Sequence, residues 1–248
     1  MDIIERLDAI VRSDSIETTW TQLLEAMDGY GFDRLLYGFT RFRTANSYGD
    51  TDDVLFLSNH DHEYISKFVD GRLYLHAPMV RWASTHTGSR SWSTWQAHLD
   101  ELTPEERRVA DFNLSRGLNA GYTISFKDQS VRSRGAIALA ARMGLDQSAV
   151  DGIWARHGRE IELVNNVAHL RMTNLPYHGR RHLTERQREA LEWVGDGKTT
   201  QDIATILGLT TATVEKHLRL AREALNVETT AQAVFKASIQ NQIFVVRP

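Results

Sequence analysis

Leu183-Thr184-Glu185-Arg186-Gln187, followed by Gly197-Lys198-Thr199-Thr200 and then Gly208-Leu209-Thr210-Thr211, decides how the last third of the chain folds. Thr184 is an N-cap with Gln187 three residues on, the spacing of a capping box, so a helix starts there. Ala190, Leu191 and Val194 follow at helical spacing, and Gly195 and Gly197 stop it. A second helix is predicted over about 200–207 with Ile203, Ala204 and Leu207 inward, then a short turn at Gly208. Thr210 or Thr211 caps a third helix whose apolar members Val214, Leu218, Ala221 and Leu225 recur at intervals of four, three and four. Two helices joined by a short glycine-containing turn are helix-turn-helix grammar. A fourth helix, about 230–240, is expected to pack Val234, Phe235 and Ile239 on that core.

The remaining face of the third helix carries Thr211, Thr213, Glu215, Lys216, Arg219 and Arg222. Hydroxyls and cations of this kind reach phosphates, and longer side chains reach base edges, when a helix lies in a major groove of double-stranded DNA. Three cations on a helix are also what an ordinary solvated face shows, so the pattern gains its force from the surrounding motif. Leu183-Thr184-x-Arg186, Glu189, Leu191, Gly197-Lys198-Thr199, Ile203-Ala204, Leu207-Gly208, Thr213-Val214, His217 and Leu225 together resemble the four-helix DNA-binding domain of LuxR-type transcription regulators. The resemblance implies that Glu215, Lys216 and Arg219 face bases, with Lys198, Thr199, Thr211, Thr213 and Arg222 on phosphates. Glu215 departs from the family, where a basic residue is common; a carboxylate accepts from a cytosine amino group and repels phosphate.

Upstream, 248 residues with no cysteine exclude disulfides, thiolate catalysis and cysteine-based zinc sites. No apolar run approaches the roughly 20 residues that span a bilayer, and Met1-Asp2-Ile3-Ile4-Glu5-Arg6 lacks a signal-peptide layout. A cytoplasmic location without membrane contact is expected. Residues 178–248 carry a net charge of +2 and residues 1–177 of −5, which suits a DNA module joined to a domain that does not touch DNA. The expected division is 1–172, a linker at 173–182 with Pro176, Gly179 and paired arginines, and 183–248.

Within 1–172 the pattern predicts a helix carrying Ile16, Trp20, Leu23, Leu24 and Met27, then a hairpin of 35–42 and 54–57. Helices are predicted over about 60–69, 79–85 and 104–116, the last with Thr103 as cap, Pro104 in first position and Glu106 closing a capping box. Strands at 122–126 and 135–141 and a long helix from about 147 to 172 complete an α+β domain. An antiparallel sheet covered by helices on both sides is expected, with room for a ligand between layers; the all-α helix-turn-helix domain follows.

This layout resembles, over roughly residues 15–172, the autoinducer-binding domain of LuxR-type regulators, which holds an acyl-homoserine lactone between sheet and helices. The family's pocket pattern is Tyr, Trp and Tyr at four-residue spacing, Asp-Pro nine residues on, then a Trp and a Gly. It falls here on His60, Tyr64, Phe68, Ala77-Pro78, Trp92 and Gly121. Pro78, Trp92 and Gly121 match, and the rest depart. In the family the Asp accepts from the ligand amide, and Ala77 has no acceptor; an amide left unpaired costs roughly 1–3 kcal/mol. His60 or His76 is a candidate replacement.

The resemblance implies a transcription regulator acting as a homodimer on a palindromic operator, since one recognition helix covers too few base pairs for useful selectivity. The long helix 147–172 is the candidate dimer contact, and reads equally well as cover for the sheet. The pocket departures leave open a different ligand, or a pocket filled by its own side chains in a ligand-independent regulator. An enzyme is disfavoured: the chain has no glycine-rich phosphate loop, no His-Glu-x-x-His and no nucleophile elbow, and no catalytic residue is nominated. His60-Asp61-His62 has metal-like spacing but reads better as a solvated or capping segment, so no metal is expected. A phosphorylated receiver is disfavoured as well, because the first two thirds lack its strand-helix alternation.

Overall fold

A computed structural model describes residues 2–44, 47–128, 130–177 and 182–245. Contacts divide the chain into two compact units, Met1–Asp50 with Val54–Thr173, and Thr51–Asp53 with Asn174–Pro248. Residues 178–181 of the expected linker lie outside the described residues.

The first unit begins with α1 (Ile3–Arg12) and α2 (Ile16–Asp28), followed by β1 (Phe32–Thr40) and β2 (Leu55–Ser58). A short α3 (His62–Ile65) widens into a π turn over Ser66–Asp70, and α4 (Pro78–Thr85) leads to β3 (Gly88–Ser91). Then come α5 (Ser93–Gln96), α6 (Pro104–Ser115), β4 (Gly121–Ser125), β5 (Arg134–Ala141) and the long α7 (Gln147–Asn174). The five strands form one sheet in the order β2-β1-β5-β4-β3, with every neighbouring pair antiparallel.

Side-chain alternation on β1 and β5 explains why the sheet is covered on both faces. Tyr37 on β1 points toward α7, where its hydroxyl meets His169 Nδ1 at 2.9 Å. Tyr122 on β4 stacks on Trp154 of α7 with ring centroids 3.9 Å apart. The opposite face carries Leu36, Gly38 and Thr40, paired in register with Ala138, Ala136 and Arg134. Glycine and alanine there leave space above the sheet, which α3 to α6 roof with aromatic side chains. The expected capping box at α6 is present: Glu106 N–H donates to Thr103 Oγ1 at 3.2 Å, and Thr103 N–H to the Glu106 carboxylate at 3.0 Å.

Three elements have no counterpart among the sequence expectations, the four-residue α5 among them. Helix α1 is capped by Asp2, with Glu5 completing the box. Strand β3 is Gly88-Ser89-Arg90-Ser91, four residues without apolar alternation that pair with β4.

The second unit holds α8 (Glu185–Gly195), α9 (Thr200–Leu207), α10 (Thr211–Leu225) and α11 (Thr230–Ile239). Its core contains Ala190, Leu191, Ile203, Val214, Leu218 and Leu225. Gly208 ends α9 at φ +66°, a left-handed turn that glycine adopts without a Cβ penalty. The expectation that Phe235 packs inward is corrected: it is 60% exposed, whereas Ala233 and Ala237 are fully buried. Two alanines four residues apart let α11 approach closely, and that rotation turns Phe235 outward.

Candidate functional site

A cavity of about 150 Å³ lies between the sheet and the helical roof of the first unit, far above the roughly 10–15 Å³ that one water needs. His60, Tyr64, Phe68, Ala77 and Trp92 all line it, so residues spread over more than thirty positions converge on one space. Gly121 is not among the lining residues. It stands behind Trp92, where a Cβ would come within 2.3 Å of the Leu139 carbonyl oxygen and 3.0 Å of the indole.

The roof is a ring stack. His60 lies 4.3 Å from Tyr64 between centroids, and Tyr64 stacks in turn on Phe68 and on Phe112 of α6. Asp61 accepts from the Tyr64 backbone N–H at 2.8 Å, which fixes the start of α3 and therefore the stack. That carboxylate is thus a cap. Among the described residues no group of three His, Cys, Asp or Glu side chains is placed to hold a metal ion.

Burial first, and then the nearby Arg34 guanidinium, pushes the His60 pKa down to about 4. The imidazole is therefore neutral near pH 7 and presents one nitrogen as an acceptor. His76, the other candidate replacement, is exposed and does not line the cavity. Burial raises the Tyr64 hydroxyl pKa, keeping it a donor, and that donor is engaged by Asn113 Oδ1 at 3.0 Å. Trp92 Nε1 donates to Thr123 Oγ1 at 2.9 Å. Asn113, Thr123, Tyr48 and Arg134 line the cavity without having been singled out from sequence. They lie on α6, β4, a loop and β5, and no local motif links them.

On the second unit, Glu215, Lys216 and Arg219 are exposed on α10 and share one face, with Glu223 below them. Arg219 pairs with Glu223 one turn on. Thr213 is half-buried and its hydroxyl bonds Thr210 at 2.8 Å; Thr211 Oγ1 donates to Gln201 Oε1 at 3.0 Å. Lys198 and Thr199 are exposed at the start of α9, where Thr199 caps the helix through Asp202. Arg222 is half-buried and donates to Thr230 Oγ1 at 2.9 Å, tying α10 to α11.

Residues 15–172 match the family described as "Autoinducer binding domain", and residues 181–237 match "Bacterial regulatory proteins, luxR family". The chain is 28% identical over 216 residues to the transcriptional activator protein AnoR of Acinetobacter nosocomialis, covering 84% of each. The crystal structure of Escherichia coli SdiA in space group P6522 superposes with a TM-score of 0.54 at 17% identity, over 98% of both chains. A structure of SdiA in complex with octanoyl-rac-glycerol gives 0.55 at 16% identity, over 96% of this chain and 93% of the other. With the autoinducer-binding match spanning more than half its length and a luxR-family match behind it, the chain belongs to the LuxR-type quorum-sensing transcription regulators.

Proposed function

We propose that this regulator senses an N-acyl-homoserine lactone in the cavity of its first unit, and as a homodimer reads a palindromic operator with α10. The observation that carries the ligand reading is the neutral His60 imidazole on the wall of an aromatic-roofed cavity. It supplies the acceptor for a ligand amide that Ala77 lacks, and the Gly38, Ala136 and Ala138 floor leaves room for an acyl chain. His60, Tyr64, Phe68, Ala77 and Trp92 are the assigned ligand contacts, with Gly121 holding Trp92 in place. An SdiA structure named for its complex with octanoyl-rac-glycerol, an acyl compound, agrees with an acyl ligand.

Glu215, Lys216 and Arg219 are assigned to base edges, and Lys198, Thr199, Thr211, Thr213 and Arg222 to phosphates. Residues 1–172 sense and dimerise, 173–182 link, and 183–248 bind DNA. Leu163 and Leu170, seven residues apart on α7 and 47% and 58% exposed, support α7 as the dimer contact. The protein acts in the cytoplasm and carries out no chemistry on its ligand.

A second reading rests on Ala77: a regulator that takes a different small molecule, or none, needs no carboxylate there. Thermal unfolding midpoints measured with a panel of lactones of graded chain length separate the two. A concentration-dependent rise for some chain lengths supports the lactone. A flat response from folded protein supports the second reading.

A further inference from the structure

The cavity has a polar end remote from the His60 and Trp92 end. Its floor runs along β5 from Arg134 through Ala136 and Ala138 to Ala140, all lining residues on one face of the strand. Trp92 marks one end, because its indole abuts Gly121 and bonds Thr123, which pair in register with Ala140 and Ala138. Arg134 marks the other, paired across the sheet with Thr40. Ala138 is four residues along the strand from Arg134, about 13 Å.

Arg134 is half-buried, and its Nε is a buried donor with no hydrogen-bond partner among the described residues. One terminal nitrogen reaches the His86 carbonyl only at 3.5 Å. Tyr48 and Ser84 line the cavity too, and the Arg134 charge acts on the Tyr48 hydroxyl. A buried guanidinium N–H without an acceptor is costly, since hydrogen bonds to charged groups are among the stronger ones in proteins. The guanidinium lies on the cavity wall with only that long contact at its terminal end, so a ligand oxygen is an acceptor its terminal nitrogens can take.

We infer that Arg134 recognises an oxygen acceptor at the far end of the ligand, so that the signal carries a hydroxyl, carbonyl or carboxylate on its tail as well as its polar head. This rests on the cavity being the ligand site proposed above, and it narrows the ligand from a plain acyl chain to a tail-oxygenated one. Arg134 is a specificity residue: an all-hydrocarbon tail offers its guanidinium no acceptor.

The test measures dissociation constants of the full chain for lactones in matched pairs, each a saturated acyl chain and the same chain ending in a hydroxyl or carboxylate. A parallel series replaces the lactone by a simple amide. Wild type is expected to bind the oxygenated member of a pair about tenfold tighter. Arg134→Met, which keeps the apolar stem, removes that preference without weakening the saturated chain. Arg134→Lys retains part of the preference and guards against reading a folding defect as lost recognition. Equal affinity within pairs for wild type, or a preference that persists in Arg134→Met, overturns the inference while leaving the lactone reading intact. The same tail preference in the amide series, with no benefit from the ring, upholds the inference and removes the lactone. No binding by any probe overturns both.

Discussion

Gly121 and Trp92 are fitted so closely that a Cβ on Gly121 would lie 3.0 Å from the indole and 2.3 Å from the carbonyl oxygen of Leu139. The Trp92 backbone N–H donates to the Gly121 carbonyl at 3.1 Å, so the two residues are also joined through the main chain. The 2.3 Å clash is with backbone, which a rotamer change does not relieve. Gly121→Ala is therefore expected to destabilise the first unit by about 1–3 kcal/mol. That lowers its thermal midpoint by roughly 2–4 °C per kcal/mol. Displacement of Trp92 should appear in the intrinsic fluorescence, and an unchanged midpoint and spectrum would show that the sheet absorbs the extra methyl.

The other face of the sheet contains a polar chain. Tyr37 is fully buried, its hydroxyl meets His169 Nδ1 at 2.9 Å, and His169 Nε2 lies 3.3 Å from Asp128 Oδ1. Phe126 stacks on the imidazole with centroids 4.1 Å apart. Tyr37→Phe removes one oxygen and leaves a buried ring nitrogen unpaired, at a cost of about 1–3 kcal/mol. Urea unfolding should register this as a lower midpoint with an unchanged slope.

What sequence made legible depended on whether its signal was local. The helix-turn-helix was readable because caps, glycine stops and apolar intervals lie within single elements, and Thr184, Thr199 and Gly208 act where local chemistry put them. The N-terminal strands were readable from aromatic and aliphatic runs, except β3, whose pairing with β4 is a tertiary choice that Gly88 to Ser91 do not announce. Phe235 was misassigned because apolar character was weighed above size: Ala233 and Ala237 form the closer-packing stripe. Arg134 and Asn113 were missed for a deeper reason. A polar residue at a strand end or helix end is ordinary, and only convergence in space gives it a cavity to face.

His60 sets a pH dependence whose sign follows from its pKa of about 4 in the folded chain, against about 6.5 unfolded. Between those values the unfolded chain binds the proton that the native one excludes, so stability falls as pH drops from about 6.5 to 4 and this contribution levels off below. Asp61 and Asp33 pull the other way but are outweighed by burial and Arg34. The urea midpoint of wild type should therefore decline more steeply across this window than that of His60→Gln, which has no proton to take up. Parallel profiles would show that His60 is solvated enough to titrate normally.

On α10 the exposed face makes a sharper distinction than charge counting does. Lys216 and Arg219 point outward, whereas the Arg222 guanidinium is held by Thr230 at 2.9 Å. Lys216→Ala and Arg219→Ala should each weaken binding to duplex DNA selected by the wild-type protein from a random pool. The expected loss is about 1–3 kcal/mol where a side chain reads a base edge, roughly 5- to 150-fold, with the unfolding midpoint unchanged. Arg222→Ala should lower that midpoint as well, because it removes a tie between α10 and α11. Arg219 adds a finer test: it is paired with Glu223 in the free protein, and the proposed turn of the guanidinium to a base requires this ion pair to be given up. Glu223→Gln should then leave the fold intact and tighten binding. Tighter binding that vanishes in the Glu223→Gln, Arg219→Ala double variant would assign the effect to Arg219, whereas weaker binding by Glu223→Gln would mean that the pair is what presents Arg219 to the groove.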